Sequence, residues 1–216
     1  MFADREEAGT LLGEKVAALG LGRPVVLGIP RGGVVVAARV AQALGAPLDV
    51  IVPRKIGAPR NPELAIGAVG PDGQVIIDEG LAALVGASPT YIARESQRQS
   101  EEVKRRLDLY RRGLPPMRLA GEDVVVVDDG VATGHTVLAA LRALRTQNPG
   151  SLTLAVPVAP PEVIPRLRAE ADRLVCLLTP SPFYAVGQFY HYFPQVSDEE
   201  VAALLEAHRS PRPGPE

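Results

Sequence analysis

The run Val124-Val125-Val126-Val127-Asp128-Asp129-Gly130-Val131-Ala132-Thr133-Gly134-His135-Thr136 constrains this chain more than any other. Four consecutive β-branched apolar residues predict a strand that is apolar on both faces of its pleat, the pattern of a parallel sheet covered by helices on both sides. Two carboxylates stand side by side where that strand ends. A short loop of small residues follows, and a helix is predicted from about Thr136 to Gln147. Small residues let backbone N–H groups approach an anion, and a helix N-terminus adds positive partial charge. Asp128 and Asp129 cannot hold phosphate; they suit sugar hydroxyls or a bound divalent cation. One loop thus offers a phosphate cradle beside a hydroxyl clamp, the combination a ribose 5-phosphate requires.

The rest of the chain alternates strands and helices around this run. Helical spacing covers Asp4 to Leu19, strands are predicted at Val25–Gly28 and Leu48–Val52, and a helix at Val34–Leu44 follows the tight turn Pro30-Arg31-Gly32-Gly33. Arg54 to Glu63, with two prolines, a glycine and three basic residues, reads as a loop. Leu64–Val69 and Gln74–Ile77 flank Pro71-Asp72-Gly73, a hairpin signal. Ser88-Pro89 opens a long polar helix to Arg112, with Ser88 as N-cap and Pro89 in the first turn. Leu152–Val158 and Leu174–Leu178 are strands, with a helix at Pro161–Ala169 between them. Ser197 to Glu200 caps a last helix to about His208, and residues 210–216 read as a disordered tail. The expected architecture is α/β: a mostly parallel sheet flanked by helices, in one domain over residues 1–209. A helical and hairpin insertion is expected at about 70–120 and a small hood at about 180–196. Ligands of such sheets bind beyond the carboxyl ends of the strands, where Ile29–Gly33, Pro53–Pro62 and Asp128–Thr136 lie.

With these three loops in place, the chain resembles the type I phosphoribosyltransferases over roughly residues 20 to 195. The family signature is an apolar strand, two acidic residues and a loop of the form x-x-A-T-G-x-T, here Val124 to Thr136. The resemblance implies that Ala132, Thr133, Gly134, His135 and Thr136 wrap the 5-phosphate of phosphoribosyl pyrophosphate, while Asp128 and Asp129 bind the ribose hydroxyls. It implies that Pro30, Arg31, Gly32 and Gly33 form the pyrophosphate loop, with Arg31 on diphosphate oxygens and Gly32 allowing close backbone approach, often through a strained or cis peptide. Arg54-Lys55-Ile56-Gly57 would begin a mobile loop that closes over the site and, with Arg60, excludes water. Arg31, Arg54, Lys55, Asp128 and Asp129 are therefore the expected catalytic residues. Mg²⁺ is expected to bind through substrate oxygens and water, with no dedicated protein metal site. The implied activity is transfer of a phosphoribosyl group to a nitrogenous base or related acceptor; the alternative is a sensor that binds phosphoribosyl pyrophosphate or nucleotides without turnover. Family habit adds a homodimer.

Departures from the pattern bear on the acceptor. Gly130 stands where the family usually has an aliphatic residue. His135 replaces a more usual Gly or Lys, and either donates to phosphate or faces solvent. Ala132 occupies the position where members acting on 6-oxopurines commonly carry Asp, so hypoxanthine or guanine salvage is disfavoured. The hood candidate is Ser181 to Phe193, which holds six of the nine aromatic residues. Its rings either stack on an acceptor, with Phe183 and Tyr184 the first choices, or form a satellite core or dimer contact.

Other features exclude more than they assign. Arg94 to Arg112 carries seven basic and four acidic residues, the pattern of a solvated or interface helix more than of a nucleic-acid stripe, and the net charge of −2 gives nucleic acid no general attraction. The single cysteine, Cys176, is expected in a strand and not as a nucleophile; one cysteine fits a reducing cytoplasm. No signal peptide and no membrane span is expected. His191 and His208 lack partners at metal-ligand spacing. The first βα turn, Gly28 to Gly33, is not G-x-G-x-x-G, which argues against a dinucleotide-binding oxidoreductase.

Overall fold

In the computed structural model, which describes residues 1–70 and 75–208, strands and helices alternate as expected. The elements in chain order are α1 (Arg5–Ala17), β1 (Pro24–Gly28), α2 (Gly32–Leu44), β2 (Leu48–Val50), β3 (Arg54–Ala58), β4 (Asn61–Val69), β5 (Val75–Ile77), α3 (Glu79–Leu84) and α4 (Pro89–Arg111). They continue with β6 (Asp123–Val127), α5 (His135–Arg145), β7 (Ser151–Val158), α6 (Ile164–Glu170), β8 (Arg173–Leu178) and α7 (Asp198–His208). Five strands form a wholly parallel sheet in the order β2-β1-β6-β7-β8. β6 is central, and its valines divide by parity. Val125 and Val127 belong to the core cluster that holds Leu12 of α1, Val34 of α2 and Leu205 of α7, while Val124 and Val126 belong to the cluster that holds Leu141 of α5 and Leu167 of α6. The four-valine run therefore anchors the acidic pair in both layers of the core at once.

β3, β4 and β5 form a second, antiparallel sheet. This corrects the loop expected over Arg54 to Glu63. Ile56 and Ala58 are buried, and Tyr91 of α4 donates its hydroxyl proton to Gly57 O at 2.8 Å, so tertiary packing overrides the local Pro and Gly signals. Those signals survive as irregularity: the β3–β4 register shifts at Gly57 and Ala58, next to Pro59 and Pro62, which have no N–H to give. The second sheet starts at Arg54. α3 adds to the expected elements; it is six residues long and begins where Asp78 accepts from Leu81 N–H at 2.9 Å. The hairpin turn Pro71-Asp72-Gly73 and the tail at 210–216 lie outside the described residues. Among the described residues no helix is long and apolar enough to cross a membrane.

Candidate functional site

The two central strands deliver two loops to one edge of the sheet. β1 and β6 pair through Gly28 and Val127, and Ile29 N–H still donates to Val127 O at 2.9 Å just beyond them. The turn Pro30–Gly33 thus lies against the start of Asp128–Thr136. The peptide between Pro30 and Arg31 is cis. Each loop feeds a helix, α2 or α5, and the two helices start alike. Neither has a side-chain cap, and neither has an acidic residue in its first turn. By contrast, α1, α3 and α4 are capped by Asp4, Asp78 and Ser88. The first N–H groups of a helix have no intrahelical acceptor, so those of α2 and α5 are open to an anion, which the helix dipole favours. Gly134 holds φ +81°, a left-handed conformation that lets the loop turn directly into α5. Ala132, Thr133, His135 and Thr136 are exposed around it.

The acidic pair lies between these helix starts. Asp128 Oδ1 accepts Asp129 N–H at 2.9 Å. Asp129 Oδ2 accepts Arg5 Nε at 2.7 Å. Burial, and then the neighbouring charge of Asp129, push the Asp128 carboxyl well above the usual carboxylate range. Burial also raises Asp129, against the opposing hydrogen bond and charge of Arg5. Gly32 and Gly33 face the pair closely. A Cβ at Gly32 would lie 1.9 Å from Asp129 Oδ2 and 2.7 Å from Arg5 Nε, and one at Gly33 would lie 2.8 Å from Asp128 Oδ1. The closeness expected of Gly32 toward a diphosphate is thus already required by the protein itself.

Sequence reasoning missed Arg5. Its signal was available: a cation in the first turn of a helix opposes the macrodipole, so it needs another reason to be there. It is only 8 % exposed. Besides Asp129 its partners are Pro194 O, which accepts its NH1 at 2.7 Å, and the ring of Phe193, whose centroid lies 3.7 Å from the guanidinium carbon.

Of the other expected residues, Arg31 is exposed at the start of α2. Its charge reaches Tyr110 of α4, whose hydroxyl donates to Asp198 Oδ1 at 2.7 Å. Burial and that bond push the Tyr110 phenol up to about 12, with Arg106 and Arg31 opposing. Arg54 and Lys55 are half-buried on β3, and Arg54 NH2 donates to Glu102 Oε1 of α4 at 3.0 Å. The expected start of a mobile loop is therefore a strand docked on a helix. Arg60 is exposed between β3 and β4.

The aromatic segment folds back over α1 and the Asp129 loop. Phe2 N–H donates to Phe189 O and His191 N–H to Phe2 O, and Phe2, Tyr190, Phe183, Phe189 and Phe193 form a satellite cluster. Phe183 packs on Phe189, with ring centroids 4.9 Å apart, while Tyr184 is 83 % exposed. The Tyr190 hydroxyl donates to Asp129 O. Val186 covers Gly130: a Cβ at Gly130 would lie 2.5 Å from Val186 Cγ1. Cys176 is half-buried in β8, and burial pushes its thiol up, away from nucleophile behaviour.

Comparison with known proteins agrees with this geometry. The model of the phosphoribosyl transferase domain family matches residues 5–194. The "Putative phosphoribosyl transferase" of Mycobacterium tuberculosis, in two strains, is 44 % identical over 210 residues, which cover 97 % of this chain and 47 % of that protein. The chain therefore spans about half the length of these curated relatives. A uracil phosphoribosyltransferase of Myxococcus xanthus is 45 % identical over 53 residues, 24 % of this chain and 25 % of that protein. The crystal structure of TT1426 from Thermus thermophilus is 48 % identical, covers 97 % of this chain and 99 % of its own, and superimposes with a TM-score of 0.89. The chain belongs to the phosphoribosyl transferase domain family.

Proposed function

We propose that this site transfers a 5-phosphoribosyl group from phosphoribosyl pyrophosphate to a nitrogenous acceptor and releases diphosphate. One observation carries the reading: two uncapped helix N-termini flank a half-buried carboxylate pair at the carboxyl edge of a parallel sheet. The α5 start, with Ala132, Thr133, Gly134, His135 and Thr136, takes the 5-phosphate. Asp128 and Asp129 take the ribose hydroxyls. The α2 start, with Pro30, Arg31, Gly32 and Gly33, takes the diphosphate. Cleavage at the anomeric carbon leaves an oxocarbenium-like ribose and a diphosphate anion. Arg31 offsets the leaving charge from beside the turn, and Arg54 and Lys55 approach from β3. The antiparallel sheet shields the cleft from water, which would otherwise take the place of the acceptor.

Among the described residues no group of three or more His, Cys, Asp or Glu is placed to hold a metal ion. The donor set here, two carboxylates of which one is ion-paired, fits a Mg²⁺ carried on diphosphate and ribose oxygens and water. When bound, the cation would supply further neutralisation of the leaving group. The acceptor is placed beside the aromatic segment where Val186 meets Gly130, with Phe183 and Tyr184 at its rim. Ala132 brings no acid or base to that place, so ring nitrogens that need no proton removal suit it best.

Exchange of labelled pyrophosphate into phosphoribosyl pyrophosphate, measured across a panel of bases, tests the reaction. Exchange with one base class is the expected result. Tight donor binding with intact donor recovered after long incubation with every base would replace the enzyme by a sensor.

A further inference from the structure

Arg5 reaches the carboxylate pair by a route built into the fold. α1 lies close against α2 because Gly9 and Gly13 leave no side chain between them: a Cβ at either would lie 2.8 Å from α2 atoms. That approach brings the first turn of α1 over Asp129. The missing side chain at Gly32 then leaves the space in which Arg5 Nε and Asp129 Oδ2 meet. The guanidinium is held on its other sides by Pro194 O and the Phe193 ring. Three separate segments therefore fix one cation against one oxygen of one carboxylate. Asp129 is left with Oδ1 for any ligand, and the Asp128 carboxyl stands beside it.

We propose that Arg5 is a positioning residue for the sugar-binding carboxylates: it locks the orientation of Asp129 and keeps its carboxylate an acceptor for a ribose hydroxyl. The inference rests on the reading of Asp128 and Asp129 as the ribose clamp. Two adjacent buried carboxylates without a cation share a proton, and a protonated Asp129 presents a donor where a hydroxyl needs an acceptor. The groups facing Asp129 are Asp128 from the end of β6, Arg5 from α1 and the Tyr190 hydroxyl from the aromatic segment. Tyr190 is itself raised by burial and by the charge of Asp129, so it stays a donor and cannot replace Arg5 as a cation.

The test is a double-mutant cycle of Arg5→Gln and Asp129→Asn, read by calorimetric binding of phosphoribosyl pyrophosphate with Mg²⁺. Arg5→Gln should weaken binding about tenfold or more in the parent and less than about threefold beside Asp129→Asn, because its partner charge is gone. Arg5→Lys should restore part of the loss. Equal losses in both backgrounds would overturn the proposal, since a residue that merely holds the fold acts with or without Asp129. If Arg5→Gln does not fold, Phe193→Leu, which removes the ring under the guanidinium and keeps the charge, takes its place in the cycle. If the parent binds no donor, the ribose-clamp reading fails separately. The carboxyl ¹³C resonance of Asp129 in the ligand-free proteins then decides on Arg5 alone. A move toward the protonated position at neutral pH in Arg5→Gln supports the proposal, and an unmoved resonance overturns it.

Discussion

Two arginines, Arg5 on α1 and Arg54 on β3, are held in opposite ways. Arg5 meets Asp129 with side chains 9 % and 15 % exposed, a backbone carbonyl on another nitrogen and a ring against its face. Arg54 meets Glu102 with side chains 31 % and 30 % exposed, and it shares that carboxylate with Arg105 and Arg106. A buried charge without its partner is costly, so the first contact resists exchange. A solvent-accessible ion pair contributes about 0–1 kcal/mol, so the second is more easily exchanged for another partner. On the proposed function, the α1 side is scaffold and the β3 strand serves as a lid that the helix surface holds lightly. A site that must admit a highly charged donor and then exclude water needs both.

The largest expected effect falls on the object both sides serve. Asp128→Asn with Asp129→Asn should weaken binding of phosphoribosyl pyrophosphate about 100-fold or more, measured by calorimetry, while the protein stays folded. The sign of the stability change follows from the raised Asp128 carboxyl. A raised folded-state value contributes stability below the ordinary value of 3.8, and that contribution is lost as pH rises through the raised value. Asp128→Asn alone should therefore melt at or above the parent on the alkaline side of that raised value, with the advantage fading toward acid. Next in size, Gly32→Ala forces a Cβ onto Asp129 Oδ2 and Arg5 Nε. Denaturant melts should show a loss of about 2–4 kcal/mol, together with lost donor binding. A neutral result would mean that the α1 side yields as easily as the lid.

These two sides are not equally legible in the sequence. The strand Asp123–Val127, its carboxylates and the uncapped start of α5 are readable because each is local: four valines, two acids, a small loop and a helical stripe lie next to one another. Ser88 at the start of α4 is readable for the same reason, and its Oγ accepts Tyr91 N–H at 3.2 Å. β3 reads as a loop because Pro59 and Pro62 dominate the local signal, while Ile56 is held by a helix that begins some thirty residues later. Arg5 escapes notice because its partner is 124 positions away. The aromatic cluster has two readings from the sequence, and only its pairing with Phe2 distinguishes a satellite core from a free stacking face.

A smaller effect probes how firmly the aromatic segment holds the fixed side. Tyr190→Phe removes the hydroxyl that donates to Asp129 O and keeps the ring against Phe2 and Phe193. A loss of about 1 kcal/mol in denaturant melts is expected, with a modest rise in the dissociation constant for the donor. No change in either would detach the aromatic segment from the carboxylate pair.

The smallest effect is expected at Glu102, and it is the sharpest check on the contrast. Hydrogen bonds from Arg105 and then Arg106 hold this carboxyl down at about 2. A lowered value contributes stability above the ordinary 4.5, lost as pH falls through about 2; at neutral pH Glu102→Gln therefore removes that contribution. Solvent screens much of it, so the cost should stay below about 1 kcal/mol and shrink further in high salt. The lid should respond more than the fold does. Released from Glu102, Arg54 no longer ties β3 to α4, although Tyr91 still holds Gly57 O. Limited trypsin digestion should then cut sooner at Arg54, Lys55 or Arg60 in Glu102→Gln, with no change in cutting near Arg5. A global loss as large as that of Gly32→Ala would show that the β3 contact is scaffold after all. Unchanged digestion would show that the packing of Ile56 and Tyr91, and not the ion pair, sets how readily the lid opens.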